Sequence, residues 1–374
     1  MPSTGGAHSG GAPPRSRRAL LTVIVAVVLV GALIGAALAL GGHGKRKAHA
    51  STPPPATTGS AASTTLAPAT SGAWNELTSN LDPVARMESG STVWQGQLWV
   101  LGGMTSIGTS TDRVEEYDPA LGKWTPGPPL PKPLHHLMAV TFQRHVVVLG
   151  GWYPSGPGVD KIKGNVSKLA WEFDNDPKVN NWVPLPSMLQ PRAAGAAAVI
   201  GNDIIVAGGV GANGNLATDA EMFDGTKWTE IKQQIPTPVS HLAAVSDGHC
   251  YYAIGGHKES EDDISNVLER YCPASNQWQQ LQNLPTPLDD PGATLVGGLI
   301  IVAGGESHLS VYNDVEAYHI SSNTWTALPP LKTARHGLAL LLPGPAVRTL
   351  FAIDGAQNPE HNRPSNIIET LDLP

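Results

Sequence analysis

A short apolar run that ends in Gly-Gly occurs five times in this chain: QLWVLGG (Gly102–Gly103), HVVVLGG (Gly150–Gly151), DIIVAGG (Gly208–Gly209), CYYAIGG (Gly255–Gly256) and LIIVAGG (Gly304–Gly305). TLFAIDG, with Asp354–Gly355, is a sixth, degenerate copy. Successive copies lie 48, 58, 47, 49 and 50 residues apart. Such a period marks a repeat architecture, in which each unit cannot bury both faces alone and its neighbours complete the core.

Within a repeat the pattern reads as four short strands. The first is small and apolar, as in GSTVW from Gly90 and LMAVTF from Leu137. The second is the run into Gly-Gly, apolar without alternation, as expected of a strand covered on both faces. After a variable loop, the third carries Glu two residues before an aromatic: Glu115 and Tyr117, Glu221 and Phe223, Glu269 and Tyr271, Glu316 and Tyr318. A Trp follows in each repeat (Trp124, Trp182, Trp228, Trp278, Trp325), and Pro-rich turns close the units. Short strands at regular spacing, split by Gly and Pro turns, argue an all-β fold.

Gly-Gly, aromatic and Trp recurring in this order resemble the kelch repeat, a four-stranded blade of a β-propeller. The resemblance spans about residues 73–374 and implies a six-bladed ring. Two orphan fragments complement each other. Trp74 has no Gly-Gly before it, and the last repeat stops at Pro374 without a Trp. The segment Trp74–Leu77 is therefore expected to supply the outer strand of the last blade, joining the chain's ends and removing open sheet edges.

Residues 19–40 form a 22-residue apolar run without a charge, long enough to cross a ~30 Å hydrocarbon core. It predicts one transmembrane helix after a short tail (1–18). The A-x-A-like Ala37-Leu38-Ala39 keeps open a cleaved secretory peptide. Residues 41–72, rich in Ser, Thr, Pro and Ala, read as a linker that cannot bury apolar surface. The resulting arrangement is a single-pass membrane protein with its propeller (73–374) outside the cytoplasm, or a secreted propeller. Lys and Arg flank the apolar run on both sides, so the positive-inside rule is nearly balanced.

The net charge is −7, and residues 1–50 hold six Lys/Arg and no Asp/Glu, which leaves the remainder at −13. Such a domain is a poor partner for nucleic acid. Cys250 begins the second strand of the fourth repeat and Cys272 ends its third. If Gly255 opposes Val267, the two cysteines face each other, and a cross-strand disulfide and an oxidising compartment follow.

In kelch propellers the loop into the first strand and the loop between the second and third share one face. Alignment on Gly-Gly places Arg86, His135, His136, Arg192, His241, Asp289, Asp290, Arg335 and His336 there, with Met104, Trp152, His257 and Glu306 just past the glycines. The candidate ligand-binding set is Arg86, His135, His136, Trp152, Arg192, His241, Asp290, Arg335 and His336. The arginines suggest an anionic ligand, because guanidinium forks pair carboxylates. Arginine at this position also serves in kelch repeats as a tie to neighbouring backbone. The long loop Trp152–Asn165 offers Trp152 and Tyr153 for stacking on a sugar or a partner.

No nucleophile motif, phosphate loop or metal-ligand cluster stands out, so neither cofactor nor metal is expected. The leading expectation is a membrane-anchored extracytoplasmic module that binds protein or glycan. Two alternatives stand behind it. One is a sugar-transforming enzyme, similar to sialate mutarotases and less to galactose oxidase, whose copper ligands and Cys–Tyr crosslink have no counterpart here. The other is a structural or assembly protein.

Overall fold

In the computed structural model of this chain, the apolar run before each Gly-Gly is the second strand of a four-stranded antiparallel sheet, and six such sheets are present. The residues described are 72–106, 109–154, 165–260, 262–344, 347–359 and 362–373, and they carry strands and turns but no α-helix. The expected tail (1–18), membrane helix (19–40) and linker (41–72, apart from Gly72) lie outside them.

The first blade runs from its inner strand outward as Gly90–Trp94, Gln97–Leu101, Val114–Asp118 and Lys123–Pro126. The next four blades repeat this order. The sixth is built from Ala339–Leu341, Thr349–Ile353 and Ile368–Asp372, with Asn75–Glu76 as its outer strand. Asn75 pairs with Thr370 and Glu76 with Glu369, and the Leu77 amide donates to the Ile368 carbonyl at 2.9 Å. The N-terminal segment thus closes the last blade, as the orphan fragments imply.

Apolar packing lies between blades rather than inside them. Six clusters fill the six interfaces, for example Trp99, Leu101, Val146 and Val148 between the first and second blades and Leu98, Val100, Phe351 and Ile353 between the sixth and first. A lone blade would expose two apolar faces, so the ring is the unit of stability.

Two recurring hydrogen bonds explain the sequence signature. Each fourth-strand Trp donates its indole N–H to a carbonyl of the chain leaving the previous blade. The pairs are Trp124 to Asn80, Trp182 to Pro128, Trp228 to Pro186, Trp278 to Gln233 and Trp325 to Gln282, at 2.8–3.1 Å. Trp74 donates to Pro329 at 2.9 Å and completes the set of six. In the first five blades the Trp ring also rests on the aromatic of the third strand, as Trp124 does on Tyr117 at 5.0 Å between centroids.

The second glycine of each pair donates its amide to the loop leading into the next blade. Gly151, for instance, reaches the Arg192 carbonyl at 2.9 Å. A Cβ on Gly150 would lie 2.2 Å from that same carbonyl, and Gly150 sits at φ 63°, so a side chain is excluded twice over. In the sixth blade Asp354 keeps this left-handed backbone at φ 60°, which Asp tolerates better than most residues.

In the fourth blade Tyr251 opposes Tyr271 and Ile254 opposes Leu268, the register that sets Cys250 against Cys272. Their sulfurs are bonded at 1.96 Å. The bridge pins the second strand to the third at the end remote from Gly255, where the turn residues Gly248 and His249 lead into Cys250.

Candidate functional site

Fourteen residues before the first glycine of a pair, the chain turns into the inner strand. This position holds Glu88, His136, Ala194, His241 and Asp290 in the first five blades, and Gly337 in the sixth after a slightly longer spacing. All six are left-handed, with φ between 49° and 57°. Each amide donates to the carbonyl of its counterpart one blade earlier: His136 to Glu88, Ala194 to His136, His241 to Ala194, Asp290 to His241, Gly337 to Asp290 and Glu88 to Gly337, at 2.8–3.2 Å. Six backbone hydrogen bonds close a circle around the propeller axis.

A left-handed non-glycine residue costs about 1–3 kcal/mol and persists where its surroundings over-determine it. Here the closed circle does so. It also directs the side chains of Glu88, His136, His241 and Asp290 toward one another, while Ala194 and Gly337 make room. A Cβ on Gly337 would meet a Glu88 carboxylate oxygen at 2.1 Å.

The residue after Arg86 and its counterparts in the other blades form a second tier: Met87, His135, Ala193, Ser240, Asp289 and His336. Each makes an antiparallel bridge to the residue just past its own Gly-Gly: Met104, Trp152, Val210, His257, Glu306 and Ala356. The polar side chains therefore gather on the second, fourth, fifth and sixth blades. The third blade presents Ala193, Ala194 and Val210, and the space they leave is a cleft of about 1050 Å³. The blade-two histidine His136 and Trp152 border it on one side, Ser240, His241 and His257 on the other, and Asn213, Asn215, Lys258 and Glu259 at its rim. A narrow channel of about 130 Å³ continues down the axis past Glu88, His136, His241 and Asp290.

The mouth is crowded with carboxylates and imidazoles. His257 Nδ1 lies 2.7 Å from Asp289 Oδ2, and His136 Nε2 lies 3.3 Å from Glu88 Oε2. His336 Nδ1 faces Glu306, Glu88 and Asp290 at 3.4, 3.7 and 3.9 Å, while its Nε2 donates to the Asn358 carbonyl at 3.1 Å. Burial, reinforced by Asp290 and Glu306, holds Glu88 well above the ordinary carboxylate range. Burial pushes Asp289 up to about 6, with His257 working against it. For His336 burial disfavours the proton, but the hydrogen bond and charge of Asp290 and the charge of Glu306 outweigh it and raise the pKa. Four carboxylates sharing so small a volume draw protons or other cations to themselves.

Asp289, His257 and Ser240 line up as acid, base and hydroxyl, with His257 Nε2 at 3.1 Å from Ser240 Oγ. Ser240 is fully buried, however, and its oxygen also contacts His241 Nδ1 at 3.1 Å. A nucleophile must be free to reach its substrate, and this hydroxyl, at the wall of the cleft, is held between two imidazoles. The row instead holds the two imidazoles in place. The Asp289 carboxylate accepts from His257 Nδ1–H, and Ser240 Oγ lies between His257 Nε2 and His241 Nδ1.

The arginines require a correction. The side chains of Arg86, Arg192 and Arg335 have 0% exposure and lie inside the blade walls, not at the mouth. Each donates to the carbonyl of the first residue of its own glycine pair: Arg86 to Gly102, Arg192 to Gly208 and Arg335 to Asp354. Each also pairs with buried acid: Arg86 with Asp82, Arg192 with Glu221 and Arg335 with Glu369, at 3.1–3.4 Å. The case for an anionic ligand rested on these groups and goes with them. His135, His136, Trp152, His241, Asp290 and His336 are brought together. Trp152 is 6% exposed, with His135 stacked on it (28° between planes) and His136 edge-on, so little of its face is open to a sugar. Residues 155–164 of its loop lie outside the described residues.

Glu88 and Ser240 escape a search for motifs. The constant fourteen-residue step to Gly-Gly was the available signal for Glu88; Ser240 shows only through its neighbours.

Comparison with known proteins agrees with this architecture. The profile of the KLHDC2/KLHL20/DRC7 Kelch-repeats domain matches residues 138–342, more than half of the chain, and the Kelch motif matches residues 85–131. The chain is similar to the Kelch-like protein terF of Aspergillus terreus (26% identity over 71% of this chain and 61% of the relative). It is also similar to Kelch-like protein 34 of Homo sapiens (25%, covering 62% and 37%) and to alpha-scruin of Limulus polyphemus (25%, covering 71% and 30%). It thus spans between about a third and three-fifths of the length of these relatives. The solved structure of YjhT superposes with a TM-score of 0.65 at 16% identity, over 77% of this chain and 95% of that one, a likeness of fold. Five Gly-Gly blades and a sixth with Asp-Gly, each locked by a Trp, and a matching profile over most of the ring make this chain a member of the kelch-repeat family.

Proposed function

We propose that this kelch propeller is a membrane-tethered, extracytoplasmic recognition module that binds a protein segment or a glycan in the mouth of its ring. The observation that carries the proposal is the cleft of about 1050 Å³ over the third blade. It is concave, its floor is held by the closed backbone circle, and its rim is made of loops that differ from blade to blade. Polar groups on a rigid floor with variable loops above suit recognition of a polar surface. The apolar run at 19–40 and the linker at 41–72 supply the tether in this proposal. An enzyme acting on sugar is the weaker alternative, since the hydroxyl of the acid–base–hydroxyl row is held between His257 and His241.

The test screens purified full-length protein, in detergent micelles, on glycan and peptide arrays. It is run beside a variant carrying Asn215→Ala, Lys258→Ala and Glu259→Ala, three exposed rim residues whose loss should leave folding unchanged. The expected result is at least one bound ligand whose affinity falls by about tenfold or more in the variant, the worth of one hydrogen bond to a charged group. Arg144→Ala with Lys227→Ala, in hairpin turns on the opposite face, should leave it unaltered. Binding indifferent to the rim, or no binding at all, would contradict the proposal.

A further inference from the structure

We propose that the axial mouth binds one divalent transition-metal cation of the zinc type through His136, His241 and Asp290. These residues occupy the same position in the second, fourth and fifth blades, and the backbone circle points all three inward. Their ligating atoms lie within 4.8 Å of one another. The rings of His136 and His241 stand 4.8 Å apart at 90°, so the two imidazoles converge on a point rather than stack. Two imidazole nitrogens and one carboxylate oxygen are a donor set that suits zinc and its neighbours and poorly suits magnesium or calcium, which take oxygen.

Two independent observations support a cation here. The first is charge. Glu88, Asp289, Asp290 and Glu306 are drawn into the mouth, and the groups set against them are His136, His257 and His336. Imidazole offsets a carboxylate only when it carries a proton, whereas a dication offsets two at once. The second is the layer behind the ligands. The Asp289–His257–Ser240 row meets His241 at Nδ1 and holds the ring from that side. His135 holds His136 at Nδ1, with 2.5 Å between nitrogens, and Nε2 faces the axis beside Glu88 Oε2 at 3.3 Å, a contact that a bound cation would share. Metal-binding histidines are held in this way through their second nitrogen.

His136 and His241 border both the cleft and the axial channel, so the ion would sit where the two meet. Three protein ligands leave a coordination position open, within reach of whatever occupies the cleft. The site does not depend on the proposed recognition function and would stand if the arrays showed no ligand.

The test titrates Zn²⁺ into full-length protein stripped with a chelator, read by calorimetry, and repeats the titration with Co²⁺, read by visible absorption. One ion per chain is expected, with Zn²⁺ raising the melting temperature and Co²⁺ showing ligand-field bands of mixed nitrogen and oxygen coordination. Asp290→Asn and His241→Asn are the variants of choice because Asn accepts the left-handed backbone at both positions. Each should weaken Zn²⁺ by about tenfold to a hundredfold, as losses around a metal do. The Co²⁺ spectrum of the unaltered chain keeps the test decisive if a variant misfolds. Absence of uptake overturns the proposal, as does uptake that both variants retain. Uptake abolished only by His308→Ala, at the exposed His308–Asp262 pair, overturns it too.

Discussion

Deleting residues 73–77 should cost this propeller most of its stability. The segment supplies the outer strand of the sixth blade, and Trp74, at 1% exposure, belongs to the cluster between the fifth and sixth blades. Truncating a buried Trp typically costs about 3–5 kcal/mol. The lost indole bond to Pro329 and the backbone bonds to Ile368–Asp372 add about 1 kcal/mol each. A single domain has only about 5–15 kcal/mol to lose. The bared strand Ile368–Asp372 would also become a template for aggregation. Thermal melting and size-exclusion chromatography of the deletion variant beside Trp74→Ala measure both effects. A deletion that melts with the parent would sink the shared sixth blade.

Arg192→Ala should lower stability by about 3–5 kcal/mol, the usual result of breaking a buried ion pair from one side. The Gly208 carbonyl loses its donor, and Glu221 stays buried with only the amides of Leu189 and Gln190 for company. The surface pair of Lys258 and Asp263, both about half exposed, is the internal comparison: Lys258→Ala should cost about 0–1 kcal/mol. Denaturant titration of both variants checks the contrast. Equal, small losses would return Arg192 to the surface and reopen a ligand role.

The misplacement of the arginines shows how far the sequence reaches. Gly-Gly, the third-strand aromatic and the Trp are local signals, because each makes the same hydrogen bond or packing contact in every blade that carries it. The shared sixth blade was legible too, from two fragments that each lacked what the other had. The mouth was harder. Counting sixteen residues back from Gly-Gly aligns Arg86 and Arg192 with Leu134, Val239 and Leu288, all buried. That alignment marks an inward-facing position, and pooling it with the histidines two residues later mixed wall with mouth. The residues of the mouth are set by a backbone conformation, and positive φ leaves no trace in a sequence when Glu, His, Ala, Asp and Gly all adopt it. Gathering of histidine and carboxylate from five blades at one point is a product of ring closure, which no single repeat reveals.

Which compartment the propeller faces decides what ligands and cations it meets. Protease added to intact cells measures this directly. Cleavage within the linker at 41–72 should release a fragment that begins near residue 50 and carries the whole ring, with Cys250 and Cys272 still joined before reduction. A propeller protected until the membrane is broken, with both thiols open to alkylation, would contradict the proposed role.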